Sequence, residues 1–84
     1  MKKKYINFWP KGVTLRKYGQ KKGGKSLIVP NDYDTLLKEA SKKLDIIAVK
    51  IRRGSTETEI DDIRLIKDED VLYFTTEEDE KEFQ

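Results

Sequence analysis

Residues 19–26, Gly-Gln-Lys-Lys-Gly-Gly-Lys-Ser, reproduce the phosphate-binding-loop pattern G-x-x-x-x-G-K-[ST] letter for letter. That chemistry needs backbone N–H groups around a phosphate, a lysine on it and a hydroxyl on Mg²⁺. It also needs the loop to open a helix, whose N-terminus supplies the field. Here Ser26 is followed by Leu-Ile-Val-Pro, a β-favouring run stopped by a proline, and 84 residues are too few for a nucleotidase core. The expectation is a basic hairpin loop. The acids Asp61-Asp62, Asp68-Glu69-Asp70 and Glu77–Glu80 lack the alternating ligands and sixth-place glycine of a calcium loop, so they read as solvated acids or a partner-facing patch. His and Cys are both absent. Their absence removes the commonest general base, any Ser/His/Asp set, thiolate metal sites and disulfides. No catalytic residue, metal site or cofactor is expected.

The charges are more informative than the motifs. Net charge is +2, yet residues 1–53 hold 15 Lys/Arg against 4 Asp/Glu, while residues 54–84 hold 3 against 12. This asymmetry points to two surface faces of opposite sign. The candidate basic face is Lys3, Lys4, Arg16, Lys17, Lys21, Lys22 and Lys25; the candidate acidic face is Asp61, Asp62, Asp68 and Asp70. Tyr5, Trp9 and Tyr18 lie among the basic residues, a mixture that suits an acidic protein surface better than nucleic acid. The longest uncharged apolar run is Ile46–Val49, so no membrane span is expected, and the basic start has no apolar signal core behind it. An intracellular, cytoplasmic location is the default.

The elements that must position these groups follow from periodicity. Lys4–Trp9 reads as a first strand, Val13–Gly24 as a basic connection and Ser26–Val29 as a second strand. Together they form a hairpin with a long basic tip. Asn31 or Asp32 can cap a helix running to about Leu44, with Tyr33, Leu36, Leu37, Ala40 and Leu44 on one apolar face. Ile47–Ile51 reads as a third strand with Ile47, Val49 and Ile51 inward. Arg52–Ser55 reads as a turn, and Thr56–Glu59 as a short edge strand. Ile60–Ile66 reads as a helical turn and Val71–Phe74 as the closing strand. The order β-β-α-β-(β)-turn-β predicts an α+β, ubiquitin-like β-grasp domain over residues 1–76, with one helix across a mixed sheet. Residues 77–84 read as an acidic tail or linker.

With the closing segment placed, a resemblance emerges. Ile60–Phe74, IDDIRLIKDEDVLYF, resembles the end of the ubiquitin-like N-terminal domain of BTB-domain, potassium-channel-tetramerisation-type adaptor proteins. It is also similar to the KHA domain of plant potassium channels. Gly24–Ile46 resembles the strand–turn–helix segment of the same domains, and Phe8–Gly12 partly matches the aromatic-basic turn of the more distant doublecortin domain. The resemblance implies a non-catalytic interaction or clustering module of a larger adaptor or scaffold protein, with no active-site residues to transfer. From charge, the basic face would meet the acidic face of another copy. A front-to-back contact of that kind builds rings or chains. The alternative is doublecortin-like binding of microtubules or another polyanion through the basic hairpin.

Overall fold

Val13 and Leu15 alternate with Thr14 and Arg16, and this period-two pattern builds β1 (Gly12–Lys17) in a computed structural model that describes residues 11–54 and 56–83. β1 turns through Tyr18–Gly24 into the antiparallel strand β2 (Lys25–Ile28). Gly24 sits at φ +126°, and a Cβ there would lie 2.6 Å from the Leu15 carbonyl oxygen, so the turn requires glycine. The helix α1 (Tyr33–Leu44) follows, capped by Asp32, whose carboxylate accepts from the Thr35 N–H. It ends at Asp45 in the left-handed region, where the cap N–H returns to the Ser41 carbonyl.

The chain then forms β3 (Lys50–Arg53), β4 (Glu59–Ile60), a 3₁₀ turn at Ile63–Leu65 and β5 (Val71–Thr75). The sheet order is β2-β1-β5-β3-β4, with β1 parallel to β5 and the other pairs antiparallel. This is the expected α+β β-grasp arrangement. α1 covers one face and closes the core. Leu36, Ala40 and Leu44 meet Leu15, Ile51 and Phe74 from the sheet. Ile60 and Ile66, from the apolar turn before β5, are also buried.

Several sequence expectations are corrected. The strand expected at Lys4–Trp9 lies outside the described residues. The segment read as a basic connection supplies β1 through Lys17, which shortens the hairpin tip to Tyr18–Gly24. Lysine and arginine at the ends of a four-residue alternation had hidden its two buried positions. Ile47 is 81% exposed rather than inward. Ile46 and Ala48 pack on the core instead, held by Ile46 N–H to the Ser41 carbonyl and Ala48 N–H to Ser41 Oγ. Arg52 and Arg53 extend β3 instead of forming a turn, and the edge strand is Glu59–Ile60. Residues 77–83 form α2 (Glu77–Glu80) and a 3₁₀ turn at Lys81–Phe83, opened by a capping box between Thr76 and Asp79.

Candidate functional site

β1 separates two charged ends of the sheet. At its C-terminal end, the hairpin tip is shaped from inside. Arg16 Nε donates to the Gly23 carbonyl at 2.8 Å, and Nη1 donates to Tyr73 Oη at 2.9 Å. Gln20 accepts from the Lys17 N–H and donates to the Lys22 carbonyl, each at 3.0 Å. The carbonyls of Lys21, Lys22 and Gly23 are thereby paired within the turn, and Lys17, Lys21, Lys22 and Lys25 are left exposed. None of these four lysines forms an ion pair among the described residues. Arg16, expected on the basic face, works as an internal clamp. Lys3 and Lys4 lie outside the described residues. Ser26 belongs to β2, so the phosphate-loop pattern leads into a strand rather than a helix N-terminus.

The acidic corner occupies the other end. Asp68 Oδ1 accepts from Gly12 N–H at 2.8 Å. Asp70 Oδ2 accepts from Arg53 Nη1 at 3.0 Å and from the Lys67 N–H at 2.8 Å. Asp62 caps the 3₁₀ turn and binds Arg64, whose hydrogen bonds hold its carboxyl down at about 2. Asp68 and Asp70 tie the incoming loop to β1 and β3, while Asp62 acts locally on its own turn. Asp61 and Glu69 are the corner acids that point to water with no partner among the described residues.

A third locus escaped sequence reasoning. On the sheet face opposite α1, Arg52 stands between Tyr73 and Glu59 in the strand ladder. Its Nε and Nη2 donate to the two carboxylate oxygens of Glu80 at 2.9 and 2.6 Å, and Thr75 Oγ1 donates to Glu80 at 2.6 Å. Thr75 is fully buried, and the Arg52 and Glu80 side chains are each 12% exposed. The Phe83 ring lies 3.8 Å from the Arg52 guanidinium carbon and meets Tyr18 edge-on at 5.4 Å between centroids. Beside this cluster is an open cleft of about 360 Å³, lined by Tyr18, Lys21, Arg52, Gly54 and Tyr73 among others. The available signals were the Thr76-x-x-Asp79 cap pattern and the outward phase of Arg52 set by Ile51.

The C-terminal acids therefore return to the basic end. Glu77, Glu78 and Glu82 are exposed on the segment that packs beside Tyr18. The two halves of the sequence differ in charge more sharply than the two ends of the molecule do. The arrangement binds and orders charged groups, and among the described residues no His/Cys/Asp/Glu cluster could hold a metal ion.

The family model for KHA, a dimerisation domain of potassium ion channels, matches residues 11–74. The chain belongs to the KHA family. Over 54 residues this KHA domain is 37% identical to the potassium channel AKT1 of Arabidopsis thaliana, a stretch that is 64% of this chain and 6% of that protein. The matching stretch is thus a small fraction of that relative's length. No solved structure matches. Of the resemblances drawn from the sequence, the KHA one is borne out, and it makes the chain a member of a family described as a dimerisation domain. The KHA match includes the hairpin tip and the acidic corner and stops before α2. No helix among the described residues is long and apolar enough to cross a membrane.

Proposed function

We propose that this KHA domain self-associates, with the hairpin tip as one side of the contact, as an intracellular module of a larger adaptor or scaffold protein. The observation that carries this reading is the set of exposed, unpaired lysines Lys17, Lys21, Lys22 and Lys25 on a turn held rigid by Arg16 and Gln20. A preordered tip loses little conformational entropy when it docks. The complementary groups on a second copy are Asp61 and Glu69. Asp62, Asp68 and Asp70 add charge from behind, although their oxygens serve the fold.

The two ends lie about 20 Å apart along the six residues of β1. Two copies packed side by side and antiparallel place each tip against the other's acidic corner, which closes a two-fold dimer. The same contacts made front to back run into chains. Family membership favours the closed form. Sedimentation velocity over a concentration series, at low and high salt, tests the reading. Dimer that weakens with salt and is lost in Lys21→Glu/Lys22→Glu is expected. A wild-type chain that stays monomeric at low salt refutes it. A dimer indifferent to both salt and charge reversal removes the tip from the contact. Co-pelleting with microtubules reads the polyanion alternative on the same lysines.

A further inference from the structure

The Arg52 cluster has the composition of a peptide-binding site, and its present occupant is the chain's own C-terminal segment. A guanidinium grips a carboxylate in two-pronged fashion, a buried threonine hydroxyl holds the same carboxylate, and an aromatic ring three residues further on covers the guanidinium face. These groups recognise a carboxylate-x-x-aromatic segment, here Glu80-Lys81-Glu82-Phe83. The segment is held at two points, the Glu80 carboxylate and the Phe83 ring. No residue of α2 or of the following turn is buried, and a four-residue helix is marginal without its docking contacts. One residue, Thr76, separates it from β5.

We infer that this segment is an exchangeable strap, and that the Arg52–Thr75–Tyr18 site also takes the strap of a second copy. Closed and exchanged forms make the same contacts, so exchange is limited by the effective concentration that the short Thr76 connection gives the chain's own strap. Copies already held together raise the competing local concentration, which is where exchange gains ground. The inference rests on the self-association reading for its setting, though not for its contacts. The strap lies beyond the KHA match, so it is a feature of this chain in addition to the family's domain.

Charge inversion provides the test. In Arg52→Glu the site repels its own strap, and in Glu80→Arg the strap repels its own site. Mixed together, the Glu80 strap of the first meets the native site of the second, and the arginine strap of the second meets the inverted site of the first. Each variant alone should sediment with less dimer than the equimolar mixture, whose dimer fraction should rise severalfold. The double variant Arg52→Glu/Glu80→Arg should behave as wild type.

A mixture that merely averages its components overturns the exchange. So does a double variant that stays as open as the singles. If the single variants do not fold, the wild-type pair is read instead. The chain has no cysteine, so mixing Tyr18→Cys with Phe83→Cys copies under mild oxidation reports this contact alone. Covalent heterodimer that increases with concentration supports exchange, and its absence refutes it. A wild-type chain that dimerises while both mixtures fail sinks the strap and leaves self-association standing. A monomeric wild type with a dimerising mixture does the reverse.

Discussion

Acid should release the C-terminal strap before it unfolds the sheet. Arg52's hydrogen bonds pull the Glu80 carboxyl from its ordinary 4.5 down to about 2. They outweigh partial desolvation and are helped by the Thr75 hydroxyl and the charges of Arg52 and Lys50. A carboxyl whose folded pKa lies below its unfolded value stabilises the folded state above the unfolded value. That stability drains away as pH falls through the interval. The window here runs from about 4.5 to about 2. At about 1.36 kcal/mol per unit the shift sets a ceiling of roughly 3.4 kcal/mol. The pair lies on the sheet face away from the core, and solvent screening there reduces this to about 1–2 kcal/mol.

The measurement is a double-mutant cycle. Arg52→Ala, Glu80→Ala and the combined variant are unfolded in urea at neutral pH and again near the acid end of the window. The singles should each cost about 1–2 kcal/mol, and the double about as much as either, because they remove one shared interaction. In parallel, the Arg52 Nε–H and Phe83 ring resonances should move together as pH falls, while core methyl signals such as those of Leu72 stay in place. A coupling below about 0.3 kcal/mol at neutral pH, within the error of additive sites, would refute the reasoning. An undiminished coupling at the acid end would refute it equally.

The remaining expectations concern the scaffold. Phe74→Ala should cost about 3–5 kcal/mol in denaturant unfolding, whereas Ile47→Ala should stay within about 0.5 kcal/mol, since Phe74 is fully buried and Ile47 is 81% exposed. Gly24→Ala should destabilise by at least about 1–2 kcal/mol from its positive φ alone, with more from the approach to the Leu15 oxygen. Its amide spectrum should change first in residues 18–25. Asp70→Ala leaves Arg53 and the Lys67 N–H without their acceptor and should cost about 1–3 kcal/mol. Faster hydrogen exchange at Lys67 and Thr14 would locate that loss.

The helix and the closing strand were legible because their patterns are local. Leu36, Ala40 and Leu44 are one turn apart and face one way, and Leu72 and Phe74 alternate out of Val71–Thr75. The isoleucines of residues 60–66 were legible as core, although the helical turn there is shorter than expected and Ile60 belongs to β4. The ends of β1 and β3 were harder to place. Arg16, Arg52 and Arg53 look like loop residues by composition. Arg16 and Arg52 lie in strands because their neighbours Leu15 and Ile51 are drawn into the core, which turns these two arginines to the opposite face. Arg53 shares the side of Ile51 at the strand end, where Asp70 and the Leu65 carbonyl take its guanidinium. The candidate acids could be named from the sequence, but the bonds they make within the fold were not visible. Asp68 bonds to a backbone group 56 residues away and Glu80 to an arginine 28 residues away.

Composition and spacing alone determined that this chain contains neither histidine nor cysteine, that a helix crosses a sheet of returning strands, and that its charge is unevenly distributed along its length. These properties depend on residue type and near-neighbour periodicity, which a linear chain displays directly. The tertiary structure decided which charges remain free. A lysine, an aspartate or an arginine reads the same in a string whether it faces water or a partner. Its partner is chosen by strand pairing between distant segments. β1 lies beside β5, which brings Gly12 to Asp68, and β5 leads into a helix that folds back over Arg52. The phosphate-loop letters at residues 19–26 therefore became a hydrogen-bonded lysine tip, and the acidic tail became the strap that packs over Arg52 on the sheet's outer face.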